Sequence, residues 1–395
     1  MPELVLSKGF LLEEHFVTTA DGYVLGVYRI PHGRNNSVHG SKRPPVVLQH
    51  GLLDSSAAWV LNDPDQSLAF LLADAGFDVF MGNSRGNAFS RNHTGIDPST
   101  AAFWDFTWDD MAAYDIPALV GFALEQTGYQ QLVYVGHSQG TTQMFAALSS
   151  SAELRGRVSL AAMLAPAVYM RFISSVPMVT LANIQLDRLF DLLGPPEFLP
   201  SRRTTADLFG EICKTSPDMC VSVLTAIAGF NGKNINMTRM PDYVEYAPSG
   251  TSVKNMAKWA QAIRKSREQA QPLFQKYDYG SACHTRLWLP RNCNRRVYGS
   301  DEPPSYNLTA IDTPVAIFLG GQDKLATPLD VEALLEVLPP HTVVHSQVEP
   351  NYEHLDFTWG ITAARKIYRP LLKLLQQHQP QPRTELVLDP IPGLN

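Results

Sequence analysis

Two kinds of hydrophobic pattern divide the chain. His15 to Thr19 and Tyr23 to Ile30 alternate polar with β-branched or aromatic residues, and Ala20-Asp21-Gly22 between them is turn chemistry, which predicts a hairpin. Val46-Val47-Leu48, Val79-Phe80-Met81, Leu132 to Val135, Leu160 to Leu164 and Val315 to Leu319 show no alternation. Short unbroken apolar runs predict strands covered on both faces. Helical spacing fills the gaps, over Gln66 to Ala75, Met111 to Gln126, Thr142 to Ser150, Leu329 to Leu338 and Trp359 to Gln377. Strand and helix in alternation imply an α/β fold with a mostly parallel sheet and right-handed crossovers.

The alternation stops after Pro166 and resumes at Thr313. Between them lie short helical patterns, Pro195-Pro196, the loop Asp301-Glu302-Pro303-Pro304 and all four cysteines. An insertion after a strand of an open α/β sheet sits near the carboxyl ends of the strands, where ligands bind. The expected organisation is a core over 1–168 and 313–378, a mainly helical cap or lid over 169–312, and an extended or disordered tail over 379–395, which contains Pro380, Pro382, Pro390 and Pro392.

Composition acts mainly by exclusion. A chain of 395 residues with 45% hydrophobic content can bury a large core, and its formal charge of -6 offers no electrostatic footprint for nucleic acid. The longest uncharged stretches, Phe172 to Leu186 and Met219 to Gly232, fall short of the roughly 18 apolar residues of a membrane span. No signal peptide can be read in MPELVLSKGFLLEEH, yet sequons at Asn35, Asn92, Asn236 and Asn307 favour a secreted or lysosomal route. Cys213 with Cys220 and Cys283 with Cys293 fit local disulfides, although four cysteines permit three pairings. A zinc site using His284 is disfavoured because C-x2-C spacing is absent.

The chemistry centres on Gly136-His137-Ser138-Gln139-Gly140, which follows the run Leu132 to Val135 and precedes a helical pattern. Such a nucleophile elbow needs glycine on both sides because its strand-to-helix turn leaves no room for side chains. The motif arises by accident in roughly one chain in ten of this length, so the flanking strand and helix carry the reading. A serine hydroxyl needs a base, and the base an orienting acid, in the order Ser, Asp, His. Asp323 follows an apolar strand through Gly320-Gly321-Gln322 and is preferred over Asp312 and Asp330. His354 lies in a polar loop before the last helix, and is preferred over His341, His378 and His345, which alternates within the strand Thr342 to Val348. The oxyanion of an acyl-transfer intermediate wants two fixed donors. The backbone N–H of Gln139 and that of Leu52, in the loop after Val46 to Leu48, are the candidates, while His50 reads as structural. Arg85 reads as a structural ion pair, with recognition of an acidic substrate group as the minority alternative. Asp109, Asp110 and Asp115 read as helix-capping and solvated residues, and Lys254, Lys258, Arg264, Lys265 and Arg267 as a solvated basic face.

HGLLDSSAAWV, MGNSRGNAFSRNH, FWDFTWDDMAAYDIPA, GHSQGTTQMF, GGQDKLATPLDV and EHLDFTWG, in this order and spacing, resemble the acid lipases, the group of gastric lipase and lysosomal acid lipase. The likeness runs from about residue 10 to 377 and continues through Asn234 to Thr238 and Ala247 to Met256. It implies an α/β-hydrolase fold with a helical cap over a hydrophobic acyl site, and hydrolysis of triacylglycerols or cholesteryl esters with no metal or organic cofactor. It also implies Ser138, Asp323 and His354 as the triad, Leu52 and Gln139 as oxyanion donors, and a disulfide position at Cys213 and Cys220. The basic loop Cys283 to Arg296 departs from the family pattern. The expected partner is a lipid substrate at a lipid–water interface. Two alternatives stand beside hydrolysis: transfer of the acyl group to an alcohol or sterol, and a non-catalytic binding module, against which the intact triad positions count.

Overall fold

A computed structural model describes residues 1–35, 42–183, 197–199, 222, 225, 227–229, 231–269, 271–280, 292–380 and 382. Its strands are β1 (Glu13–Thr18), β2 (Tyr23–Ile30), β3 (Pro45–Gln49), β4 (Asp78–Gly82), β5 (Asn92–His93), β6 (Leu132–His137), β7 (Val158–Leu164), β8 (Glu197–Phe198), β9 (Thr251–Ser252), β10 (Val315–Gly320) and β11 (Val343–Glu349). Nine of them form one sheet in the order β1-β2-β4-β3-β6-β7-β10-β11, with β5 on β2. Pairing is parallel from β4 through β11 and antiparallel at β1, β2 and β5. The five non-alternating runs lie in β3, β4, β6, β7 and β10, which are buried along their whole length but for Ser159 of β7. β11 lies at the edge and alternates, which leaves Val344 and Val348 exposed.

Helices Leu68–Asp74, Ile116–Thr127, Gln139–Ser150 and Pro328–Val337 make the crossovers. Two helical segments widen locally into π turns, Met111–Asp115 and Ala364–Tyr368, and each precedes a proline, Pro117 and Pro370. Proline lacks an N–H and crowds the carbonyl four residues back, and the wider turn accommodates both defects. The helix expected from Trp359 to Gln377 is interrupted: Asp356–Trp359 stops at Gly360, where a Cβ would lie 2.3 Å from the Asp356 carbonyl, and a second run ends in Arg369–Gln377.

Helical insertions lie between β7 and β10, including Val176–Asn183, Met240–Tyr246, Val253–Glu268 and Cys293–Tyr298, with the two-stranded β8–β9 ribbon. They are tied to the sheet's loops. Ser249 N–H donates to the Leu53 carbonyl at 2.7 Å, Ala88 N–H to the Ser249 carbonyl at 3.0 Å, and Ser252 Oγ to the Phe106 carbonyl at 2.6 Å. Cys293 is disulfide-bonded; Cys213, Cys220, Cys283, His284 and all but Gln379, Pro380 and Pro382 of the expected tail lie outside the described residues.

Candidate active site

Ser138 sits between β6 and the helix Gln139–Ser150 with φ 52, a conformation unfavourable to a side chain and maintained by its surroundings. A Cβ on Gly136 would lie 2.9 Å from the Gly140 backbone, and one on Gly140 would lie 2.5 Å from the Gln49 carbonyl. The second glycine is therefore dictated by neighbouring β3 as well as by the turn. Ser138 N–H is held by the Leu164 carbonyl at 3.0 Å, so β7 also fixes the elbow.

His354 bridges the two other candidates. Its Nε2 is 2.7 Å from Ser138 Oγ and its Nδ1 is 2.7 Å from Asp323 Oδ2, with all three residues nearly buried. The carboxylate beside Nδ1 calls for the proton there, leaving Nε2 as an acceptor for the serine hydroxyl. Asp323 Oδ1 accepts from the N–H groups of Leu325 and Ala326 at 2.8 and 2.9 Å, which orients Oδ2 toward the ring. The arrangement can take a proton from Ser138 and stabilise the resulting imidazolium.

Two histidines beside this line are kept neutral. His50 donates from Nδ1 to the Gly51 carbonyl at 2.8 Å and accepts the Ser84 N–H at Nε2 at 3.0 Å; burial lowers its pKa to about 4. His50 thus shapes the loop. His137 donates from Nε2 to the His354 carbonyl at 3.0 Å, and burial, with His354 nearby, lowers its pKa to about 3. The loop after β3 passes close enough to Ser138 that a Cβ on Gly51 would lie 2.9 Å from the serine Cβ. Leu53 there has φ 59. Among the described residues neither Leu52 N–H nor Gln139 N–H donates to another protein group, so both are available to a ligand.

A family model described as "alpha/beta hydrolase fold" matches residues 44–361, and another, "Partial alpha/beta-hydrolase lipase region", matches residues 1–63. The lysosomal acid lipase/cholesteryl ester hydrolase of Macaca fascicularis is 41% identical over 379 residues, covering 95% of this chain and 90% of that protein. Gastric triacylglycerol lipase of Homo sapiens is 39% identical over 378 residues, with the same shares covered. The chain belongs to the acid lipase branch of the α/β-hydrolase superfamily. It is accordingly an enzyme acting on carboxylic esters. A soluble variant of the Saccharomyces cerevisiae monoglyceride lipase matches at TM-score 0.53 and 14% identity, over 93% of this chain and 96% of that one, which bears on fold alone.

Arg85 matches its preferred reading in this acid lipase, whereas several other charged residues do not. Arg85 is a structural ion pair: it is 1% exposed, bonded to Asp21 and Asp115, and lies 4.0 Å from the Tyr23 ring centre. Asp110 does cap its helix, with Thr107. Asp115 is buried against Arg85, and Asp109 accepts Tyr277 N–H and Tyr306 O–H, so neither lies on a solvated face. The basic run is likewise a set of staples. Lys258 is 3% exposed and donates to the Gln275 carbonyl at 2.5 Å, burial lowering its pKa to about 8; Lys254 pairs with Asp105, Lys265 with Asp278, and Arg264 and Arg267 reach the Ala182 and Ile173 carbonyls. Asp312 is exposed and pairs with Arg155, Asp330 accepts the Arg171 and Phe172 N–H groups, and His345 lies in β11.

Asn234, Asp356 and the Gln139 side chain escaped sequence reasoning. Asn234 Nδ2 donates to Asp356 Oδ1 at 2.8 Å, and Asp356 Oδ2 accepts Glu353 N–H at 2.7 Å, which fixes the turn carrying His354. Only the position of Asp356 two residues after His354 could have signalled this; Asn234 is remote in sequence. Asn35, Asn92 and Asn307 are exposed, whereas Asn236 accepts from Thr238 N–H and Oγ1. Among the described residues no group of three His, Cys, Asp or Glu is placed to hold a metal ion, and no helix is long and apolar enough to cross a membrane.

Proposed function

We propose that the chain is a lipase hydrolysing carboxylic esters of long-chain fatty acids, triacylglycerol or cholesteryl ester, through an acyl-enzyme at Ser138. The observation that carries this reading is His354, 2.7 Å from both Ser138 Oγ and Asp323 Oδ2. Ser138 Oγ attacks the ester carbonyl as His354 Nε2 takes its proton, and Asp323 holds the ring and stabilises the imidazolium. The N–H groups of Leu52 and Gln139 receive the tetrahedral oxygen. Collapse expels the alcohol with the proton from His354. Water, deprotonated by the same nitrogen, then releases the fatty acid. No metal or organic cofactor enters this scheme.

Residues 169–312 are read as the cap over the acyl site, and the substrate class follows the names of the relatives, one a cholesteryl ester hydrolase and one a triacylglycerol lipase. The same names, with a disulfide at Cys293, favour a secreted or lysosomal compartment. The test compares wild type with Ser138→Ala on triolein, cholesteryl oleate and short-chain esters from pH 4 to 8. Hydrolysis of at least one long-chain ester is expected, with a loss of about 10⁴-fold or more in the variant. Undiminished hydrolysis by Ser138→Ala would remove the nucleophile, and activity limited to short soluble esters would make the chain an esterase.

A further inference from the structure

Building on the assignment of Gln139 N–H as an oxyanion donor, we propose that Asn255 and Trp259 of the insertion are positioning residues that hold that donor in place. Gln139 is 2% exposed, and its side-chain oxygen accepts two hydrogen bonds, from Asn255 Nδ2 at 2.9 Å and Trp259 Nε1 at 2.7 Å. Its Nε2 faces Met111 Sδ at 3.6 Å. Asn255 and Trp259 are four residues apart in the helix Val253–Glu268, so both reach Gln139 from one helix face.

The donors are themselves fixed. Asn255 Oδ1 accepts Trp108 N–H at 2.8 Å and its Nδ2 also reaches Thr251 Oγ1 at 3.1 Å, so the amide cannot flip without losing bonds. Ser252 caps the helix by accepting Asn255 N–H at 2.9 Å, and its Oγ donates to the Phe106 carbonyl at 2.6 Å. The Trp259 ring lies 6.2 Å from the Trp108 ring.

Gln139 needs such an anchor because it follows a residue at φ 52. Relaxation of that strained turn would rotate the peptide that carries Gln139 N–H. A glutamine tip pinned by two donors opposes the rotation, and a free one does not. The insertion therefore acts on the chemical step as well as on access: moving the helix Val253–Glu268 away breaks both bonds to the residue beside the nucleophile.

The signature is a loss in kcat with little change in KM, read on a soluble p-nitrophenyl ester. Trp259→Phe removes the indole N–H and keeps an aromatic ring. It should lower kcat about fivefold, the worth of one neutral hydrogen bond, with KM within about twofold. In a Gln139→Met background, which has no acceptor, the same substitution should change kcat by less than about twofold. Asn255→Ala removes the other donor and carries the same test if Trp259→Phe does not fold. Unchanged kcat, a loss confined to KM, or equal losses in both backgrounds overturns the positioning role. Labelling of wild type by a fluorophosphonate separates the two levels: failure to modify Ser138 overturns the nucleophile assignment itself, whereas labelling with unchanged kcat in the variants overturns the positioning alone.

Discussion

Ser138 and His354 meet at 2.7 Å, but they are held by different means. On the serine side the constraint is mainly steric, with the pinned Gln139 side chain as its one polar addition: Gly51, Gly136 and Gly140 each bring neighbouring atoms to within 3 Å of where a Cβ would stand. On the histidine side the constraint is polar and lies in side chains, through Asp356 and Asn234. Steric constraint is local in sequence and can be written in glycines. Polar constraint is assembled from remote segments, among them one that belongs to the insertion.

The sharpest way to break this contrast is Gly140→Ala. Its methyl would meet the Gln49 and His50 carbonyls at 2.5 and 2.9 Å, and backbone cannot rotate away as a side chain can. A destabilisation of about 3 kcal/mol in urea unfolding is expected, with at least a tenfold fall in kcat. Gly95→Ala is the control, because nothing lies within 4 Å of its Cβ. Equal unfolding midpoints for the two variants would remove the steric account of the serine side.

Asn234→Ala tests the other half. It deprives Asp356 of one donor and Thr362 N–H and Oγ1, at 3.2 and 2.6 Å, of their acceptor. Leaving these buried and part-buried groups unpaired costs about 2 kcal/mol, and kcat should fall with it as the His354 turn loosens. If stability and kcat both survive, the turn is set by its own residues, and the two sides are held alike.

The same contrast explains what could be read from the chain. Strands buried on both faces stand out as apolar runs, and the carboxyl ends of β6 and β10, with the loop after β11, carry Ser138, Asp323 and His354, so sheet and constellation were legible together. The interrupted last helix was not. Gly360 lies against the Asn234 amide, and the Asn234 carbonyl takes Ile361 N–H at 2.7 Å, a tertiary contact that overrides a helical pattern. Lys258 was misread, and the partners of Arg85 were not foreseen, for the same reason. A charge pattern does not reveal whether its partners, Asp109, Gln275, Asp21 and Asp115, will fold over it.

Protons offer the finest distinction between the two sides. On the serine side burial lowers His50 to about 4 and His137 to about 3. Their unfolded values lie near 6.5, so the stability they contribute is present above that pH and is lost as pH falls toward their folded values. On the histidine side burial raises Asp356 to about 6 from 3.8. Here the folded protein binds the proton more tightly than the unfolded chain, so this group's contribution favours folding increasingly as pH falls from about 6 to about 4, by at most about 3 kcal/mol. Asp356→Asn removes that compensation while keeping an oxygen for Glu353 N–H. Urea midpoints of wild type and variant, measured from pH 7 to pH 4, should therefore diverge in favour of wild type on the acid side. Parallel curves would mean that Asp356 titrates alike in both states, and that the two sides of the site do not differ in how they meet acid.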